Sequence, residues 1–366
     1  MKLALVTGSA GFVGRHMTKA LAERGYSVWG IDIANPSGID CRRWFDQYWG
    51  ESFDLVVHCA AVVGGRTMID GAPLLLAVED LSIDAALFRW ALKARPGRIV
   101  AFSSSAAYPV DEQRKCPCGM TGWSVDDGWE WAEHRRERAP WDGLVPCGWC
   151  NHGGVDHPPY ALAEALIDPA NPAQPDQTYG WVKLTLERLA AEANAEGIRT
   201  HVFRPFSGYG ADQALDYPFP TFVRRAVERQ SPFQIWGDGG SARDWIHIDD
   251  VVGAVLAAID GDVLGPVNLC TGRATTFDDL AEQCMSFADH WAPIEYVGDA
   301  PQGVFWRVGD PTLMQEFYRP TVTLEDHLHQ LPHLLLLGDP QLGRDGPQRC
   351  ARRVVVHGLR EVRVEH

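Results

Sequence analysis

Leu3-Ala4-Leu5-Val6-Thr7-Gly8-Ser9-Ala10-Gly11-Phe12-Val13-Gly14 decides the fold. Its first four residues are apolar without polar alternation, which reads as a strand buried on both faces. The glycines permit a tight turn and let backbone N–H groups approach an anion at the start of a helix. Residues 15–24 then show helical periodicity, with Met17 and Leu21 on one side, and Gly25 supplies the stop. A second apolar run, Tyr26-Ser27-Val28-Trp29-Gly30-Ile31, ends in Asp32. Strand, glycine turn, helix, strand, acid is the order in which a dinucleotide is held. Gly8, Gly11, Phe12, Val13 and Gly14 are the candidate pyrophosphate cradle. Asp32 would accept hydrogen bonds from ribose hydroxyls and its charge would repel a 2′-phosphate, so NAD is expected rather than NADP. The competing reading is a structural Gly-rich turn in another α/β protein.

Outward along the chain the alternation continues. Residues 53–61 read as a third strand, ending in small residues, Ala60 and Ala61 among them, that would let a cofactor cross the strand ends. Residues 79–94 read as a helix with Leu81, Leu87, Trp90 and Leu92 among its apolar positions, stopped near Pro96-Gly97. Residues 98–102 form the next strand, and Ser103-Ser104-Ser105 begins where it ends. Ligands of an open parallel sheet bind at such strand ends, although three serines also make an ordinary turn. Further on stands Tyr179-Gly180-Trp181-Val182-Lys183. At i, i+4 on a helix the phenol and the ammonium share a face, with Cβ atoms about 5–6 Å apart. A phenol titrates near ~10, and lowering it by about 3 units takes roughly 4 kcal/mol. An ammonium and an oxidised nicotinamide ring in a dry site can supply that. Alone, the Tyr/Lys pair arises by chance on amphipathic helices; behind the glycine turn and the serines it spells a nicotinamide-dependent redox site.

Composition agrees. A chain of 366 residues with 46% apolar content can bury one large α/β domain or two smaller ones. A net charge of −15 and a pI near 5.3 argue against a nucleic-acid or anionic-membrane partner. There is no apolar run of about 18 residues to span a membrane. The apolar N-terminus flows straight into the glycine turn, so it is not read as a signal peptide. A cytoplasmic location is expected, with the nine cysteines mainly reduced.

In order along residues 1–330, the chain resembles the extended short-chain dehydrogenase/reductases of the NAD-dependent nucleotide-sugar epimerase/dehydratase family, UDP-glucose 4-epimerase-like. The matching segments are 7–14, Asp32, 58–61, 103–108, Tyr179 to Lys183, Arg204-Pro205-Phe206-Ser207-Gly208-Tyr209-Gly210, 237–250, 268–273 and Arg319-Pro320. The resemblance implies an α/β fold, with a Rossmann-like doubly wound parallel sheet over residues 1–204. A smaller C-terminal α/β substrate-binding domain, partly interleaved with it, would cover 205–330. It also implies a homodimer built on helices near 80–94 and 178–196. Tyr179 would be the general acid/base and Lys183 the cation that tunes it and holds the nicotinamide ribose. The hydroxyl partner would be Ser104, or Ser105 in the other register. Arg243 matches the arginine that grips the substrate diphosphate, a task suited to a bidentate guanidinium; a surface ion pair with Asp244 or Asp238 is its plain alternative. Ser207 and Arg66 are further substrate candidates, and Arg273 and Arg307 weaker ones.

Departures narrow the chemistry. Where dehydratases of the family resemble Thr-Asp-Glu, this chain has Ser104-Ser105-Ala106, so elimination lacks its carboxylates, and decarboxylating relatives lose support likewise. The branch of GDP-sugar 3,5-epimerases and fucose synthases shares the flavour of Val63-Gly64-Gly65 and Tyr108-Pro109, but its catalytic cysteine would fall at Ala106. What remains is reversible hydride transfer at a carbinol: epimerisation of a nucleotide-diphosphate sugar at carbon 4 through a keto intermediate. A reductase or dehydrogenase with exchangeable cofactor, or a silent NAD-binding interaction subunit, are the alternatives.

Two stretches stand outside the resemblance. Residues 111–158 read as an insertion carrying Cys116-Pro117-Cys118 and Cys147-Gly148-Trp149-Cys150. These four cysteines fit either a structural zinc, with a first pair one residue tight, or reduced thiols in a Trp-rich loop. Residues 331–366 read as a C-terminal extension, with Leu334 to Leu337 docking on the body and a hairpin over 354–364, or else as a disordered tail.

Overall fold

The computed structural model describes residues 2–35, 38–48, 50, 52–114, 161–298 and 303–336. Its main sheet is parallel throughout, in the order β2-β1-β3-β4-β5-β9: Ser27–Ile31, Leu3–Thr7, Leu55–His58, Ile99–Phe102, Thr200–Pro205 and Val267–Leu269. The chain runs from β1 outward to β2 and then crosses to β3 on the other side. The strand order therefore reverses at β1, and that is where such a sheet opens a crevice at its carboxyl edge.

Alternating residues of each strand feed two separate cores, as the period of 2 requires. Ala4, Val6, Leu55, Val57 and Val100 pack with the helices Phe12–Glu23 and Ile248–Gly261 on one face. Leu5, Val56, Ile99 and Ala101 pack with the helices Cys41–Gln47, Pro73–Ala94 and Gln177–Ala195 on the other. Burying each large side chain there, Phe45, Leu87 and Trp90 among them, contributes about 1.5–3 kcal/mol. The doubly wound α/β fold expected from the N-terminal segment is what the chain adopts.

Two expected boundaries move. The first helix begins at Phe12, inside the glycine turn. The helix expected over 79–94 begins six residues earlier, at Pro73, because a proline is well placed in a first helical turn, where no N–H is needed. That early turn is apolar on every side, with Leu74 at 74% of full exposure and Leu76 at 1%, so no alternation of polar and apolar residues marks it in the sequence.

Beyond β5 a smaller layer forms. Strands β6 (Ser207–Tyr209), β8 (Ala242–His247), β10 (Ala274–Thr276) and β12 (Trp306–Arg307) make one sheet, and β7 (Phe233–Trp236) pairs with β11 (Ile294–Val297). The helices Pro218–Val227, Phe277–Phe287 and Leu324–Leu336 cover a third core around Tyr209, Phe219 and Trp245. Thr276 ends β10 and caps the next helix reciprocally with Asp279. Leu324, Leu328 and Leu331, spaced i, i+4, i+7, seat the last helix on this core. The hairpin expected over 354–364 lies outside the described residues. No described helix is long and apolar enough to cross a membrane.

Candidate active site

At the carboxyl edge of β1 the turn is fixed by backbone. Gly8 sits at φ +67°, and a Cβ there would lie 2.6 Å from the Cys59 carbonyl carbon. A Cβ on Gly14 would collide with the Gly8 carbonyl oxygen. Only glycine lets strand end, turn and helix come this close. No side chain caps the Phe12–Glu23 helix and its first turn holds no acid, which leaves that end suited to an anion. The Asp32 carboxylate accepts from Ala10 N at 3.0 Å and from Ala34 N at 2.7 Å, which brings the acid back to the turn. Ala60 N donates to Thr7 Oγ1 at 3.3 Å, so the strand-end alanines lie beside it. Residues, free helix end and backbone approach all fit a dinucleotide.

The serines at the end of β4 separate by environment. The Ser103 hydroxyl is buried and donates to Glu187 Oε1 at 2.5 Å, and Glu187 also takes Arg204 through Nε at 2.8 Å and Nη2 at 2.7 Å. Ser105 is buried at 5% exposure, whereas Ser104 is half-buried and its oxygen accepts from Ala106 N at 3.1 Å. Tyr108, Arg204 and Asn268, all within the family-like segments, form a buried hydrogen-bonded network and hold the strands together.

The Gln177–Ala195 helix starts against the turn at residues 105–107. Asp176 N donates to Ala106 O at 2.9 Å, and a Cβ on Gly180 would strike the same oxygen. Glycine between Tyr179 and Trp181 thus allows the helix to press onto the serine turn. Lys183 Nζ lies 5.4 Å from the centre of the Tyr179 ring, so the i, i+4 pair does share a face. Lys183 is buried at 4% exposure.

A group of arginines faces this helix start. Arg243 on β8 and Arg307 on β12 are register partners on adjacent strands. Arg307 Nη2 donates to Asp176 Oδ2 at 2.6 Å, and its Nε to Gln113 Oε1 at 2.6 Å. Arg66 Nη1 lies 3.1 Å from Asp176 Oδ1, and its Nε donates to Asp70 at 2.9 Å. A Cβ at Gly303 would sit 3.1 Å from Arg243 Nη2 and 3.8 Å from Arg66 Nη1, so these guanidiniums converge. Burial pushes the Arg243 guanidinium down, and repulsion from Arg307 and Arg66 adds to it. Burial would push Asp176 up, but Arg307 and Arg66 outweigh it and hold that carboxyl below the usual range. Three guanidiniums stand against two carboxylates, Asp176 shared by Arg307 and Arg66 and Asp70 held by Arg66, which leaves the cluster short of negative charge.

The sequence candidates are therefore not all gathered. Arg66, Arg243 and Arg307 come together; Arg273 turns outward towards Glu325 at 3.4 Å. Ser207 lies on β6, paired with Trp245 of β8. Asp244 does not pair with Arg243: it accepts from Thr271 N, Thr271 Oγ1 and Gly272 N, each at 2.8 Å, and from Gly309 N at 3.2 Å. Asp176 and Gln113 lie outside the sequence motifs. An acid one helical turn before Tyr179 was visible, but its arginine partners lie 110 and 131 residues away. Cys116, Cys118, Cys147 and Cys150 lie outside the described residues, and among the described ones no group of three or more acids, histidines or cysteines is placed to hold a metal.

Comparison with known proteins gives the same frame. The model of the NAD dependent epimerase/dehydratase family matches residues 4–121 and 156–270, interrupted within the stretch read as an insertion. A GDP-mannose 3,5-epimerase 1 of Oryza sativa subsp. indica is 33% identical over 350 residues, covering 88% of this chain and 79% of the relative. A dTDP-glucose 4,6-dehydratase of Streptomyces venezuelae, solved with NAD bound, superposes with TM-score 0.69 at 20% identity, covering 93% and 98% of the two chains. A UDP-glucuronic acid 4-epimerase of Bacillus cereus, solved with its sugar nucleotide and NAD, gives 0.67 at 20%, covering 92% and 100%. At such identities these two structures speak for the fold.

Proposed function

This chain belongs to the NAD dependent epimerase/dehydratase family, as an enzyme of the extended short-chain dehydrogenase/reductase type, and we propose that it epimerises a nucleoside-diphosphate sugar at carbon 4. Gly8, Gly11, Phe12, Val13 and Gly14 would hold the pyrophosphate of NAD, Asp32 its adenosine ribose, and Ala60 and Ala61 would allow its close passage. Bound there, NAD supplies a hydride acceptor that can also return the hydride.

In this reading the diphosphate of the substrate lies on Arg243 and Arg307, with Arg66 beside them. Tyr179 removes the proton of the sugar 4-hydroxyl and later gives it back, and the Lys183 ammonium stabilises the phenolate between the two steps. Ser104, the half-buried serine of its run, hydrogen-bonds the same oxygen, with the buried Ser105 as the other register. A substrate held mainly by its diphosphate can turn its keto sugar over and take the hydride on the other face.

The observation that carries this reading is what surrounds Tyr179. The nearby carboxylate, Asp176, is held ionised by two arginines, and Ala106 offers neither acid nor thiol. Proton transfer therefore falls to the phenol. The reading extends to a homodimer and to a reducing cytoplasm, in which Cys41, Cys59, Cys270 and Cys284 stay thiols, as they are here.

The test is incubation with UDP-, GDP-, dTDP- and CDP-sugars after mass spectrometry of the denatured protein. Expected are co-purified NAD, a product of unchanged mass, and a loss of about 100-fold or more in Tyr179→Phe. A product two mass units away with NADH formed or consumed would mark a reductase or dehydrogenase instead. Full activity in Tyr179→Phe would mark a role that does not use this site. The rice relative favours a second reading, epimerisation at carbons 3 and 5. That chemistry exchanges carbon-bound protons with solvent, so turnover in heavy water would place deuterium on the sugar ring, whereas hydride return at carbon 4 would not.

A further inference from the structure

Behind the face that Lys183 shares with Tyr179 lies a cluster of ionisable groups sealed from solvent. Lys183, Asp80, Asp84 and His58 are exposed by 4%, 1%, 3% and 3%. Asp80 and Asp84 stand one turn apart on the Pro73–Ala94 helix, and His58 ends β3. One Asp80 oxygen accepts from Val62 N at 2.6 Å. The other lies 3.9 Å from Lys183 Nζ and has no hydrogen-bond partner among the described residues. His58 Nε2 is 3.3 Å from Asp84 Oδ1, and its Nδ1 is 2.8 Å from Thr7 Oγ1 at the head of the glycine turn.

We propose that Asp80 is a positioning residue for the proton-transfer pair: it is the counter-ion that keeps Lys183 charged and aimed at Tyr179, and through Val62 it ties that lysine to the loop beside the glycine turn. A buried ammonium without a counter-ion gives up its proton, and a neutral amine would not stabilise a phenolate. Burial would push Lys183 down, but Tyr179, Asp80 and Asp84 outweigh it and hold the ammonium above the ordinary lysine value. Asp80 is itself pushed up by burial, and Lys183 and the Val62 N–H oppose that. The charged or titratable neighbours are thus Tyr179 on the lysine's own helix, Asp80 and Asp84 on the helix beside it, and His58 on the sheet. Arg307 and Tyr217 also interact electrostatically with Tyr179. The inference rests on the proposed role of Lys183 in turnover, but the pairing itself is tested without substrate.

The chain has five lysines, so lysine labelled with carbon-13 at Cε gives a spectrum simple enough to titrate, and the signal missing in Lys183→Arg identifies the residue. In the unaltered protein the Lys183 signal should stay at its charged position to about pH 10 or beyond. Asp80→Asn keeps an acceptor for Val62 N and removes only the charge. It should lower the Lys183 midpoint by about 1–3 pH units, and Asp84→Asn by less. A Lys183 midpoint below the ordinary lysine value in the unaltered protein, or one that Asp80→Asn leaves in place, would overturn the proposal. On whichever sugar turns over, the alkaline limb of the pH profile should move to lower pH in Asp80→Asn; a uniform fall at every pH would mark a structural role and equally overturn it. Absence of turnover with every sugar would sink the proposed function and leave the lysine titration to stand or fall by itself.

Discussion

Arg243 shows how one residue's surroundings change its meaning. Along the chain its neighbour is Asp244, and an ion pair between them is the simplest expectation. On a strand, however, successive side chains point to opposite faces. Asp244 therefore goes to the Thr271–Gly272 and Gly309 backbone, while Arg243 goes to Arg307, Arg66 and the Phe277 ring. Its guanidinium has no carboxylate within ion-pair distance among the described residues, and its neighbours repel it. A dianionic diphosphate would relieve that repulsion, since charge-assisted bidentate contacts are the strong ones. In Arg243→Ala the affinity for UDP or GDP alone, measured by calorimetry, should fall by about 10–100-fold, the equivalent of a hydrogen bond to a charged group. Thermal stability should hold or rise, because the lost charge is a repulsive one. Unchanged nucleotide affinity would remove Arg243 from the site. The three serines follow the same logic: the sequence leaves Ser104 and Ser105 as alternatives, and the fold separates them by burial, with Ser104 half-buried and Ser103 and Ser105 buried.

At the scale of an element, the Leu324–Leu336 helix carries a pH dependence. His327 on it is buried at 4% exposure, its Nε2 has no hydrogen-bond partner among the described residues, and its ring lies 4.6 Å from that of His247. Tyr209 and Phe219 pack on the same ring, and Asp249 and Asp212 face the pair from farther out. Burial, with His247 adding to it, pushes His327 down to about 4. Above pH ~6.5 the histidine is neutral both folded and unfolded, and contributes no pH dependence. Between ~6.5 and about 4 only the unfolded chain takes up the proton, so stability is lost as pH falls through that window. The loss is on the order of 3 kcal/mol for this one group. Denaturant unfolding at a series of pH values should show it, and His327→Leu should flatten the slope; an equal slope in both proteins would refute the assignment. The sequence pattern stopped short of this helix. Its seat is the spacing of Leu324, Leu328 and Leu331, and the partners of that face, Tyr209 and Phe219, lie about a hundred residues upstream.

The whole molecule presents one feature that neither residue nor element explains alone. Leu74, Val78, Leu81 and Leu92 are exposed along one side of the Pro73–Ala94 helix, and Trp181 is 41% exposed on the Gln177–Ala195 helix packed beside it. Exposed apolar side chains gathered on two neighbouring helices are a surface suited to association. A second copy meeting it through the same patch would form a closed four-helix contact. Analytical ultracentrifugation should find twice the 40.5 kDa chain mass, and Val78→Glu with Leu81→Glu should return it to the single mass. A monomer in the unaltered protein would reject the dimer. The apolar run, glycine turn, helix and Asp32 sufficed to determine the parallel sheet and the turn at its edge that fits a dinucleotide, because strand, turn and cap chemistry act over a few residues. The Tyr179–Lys183 pair was equally local, one helical turn long. The tertiary structure alone decided that Arg66 and Arg307 share Asp176 with Arg243 beside them, that Asp80 stands behind Lys183, and that Ser104 is the least buried serine of its run. Those outcomes depend on which distant strands and helices pack together, and electrostatics and burial are set by distance through space rather than along the chain.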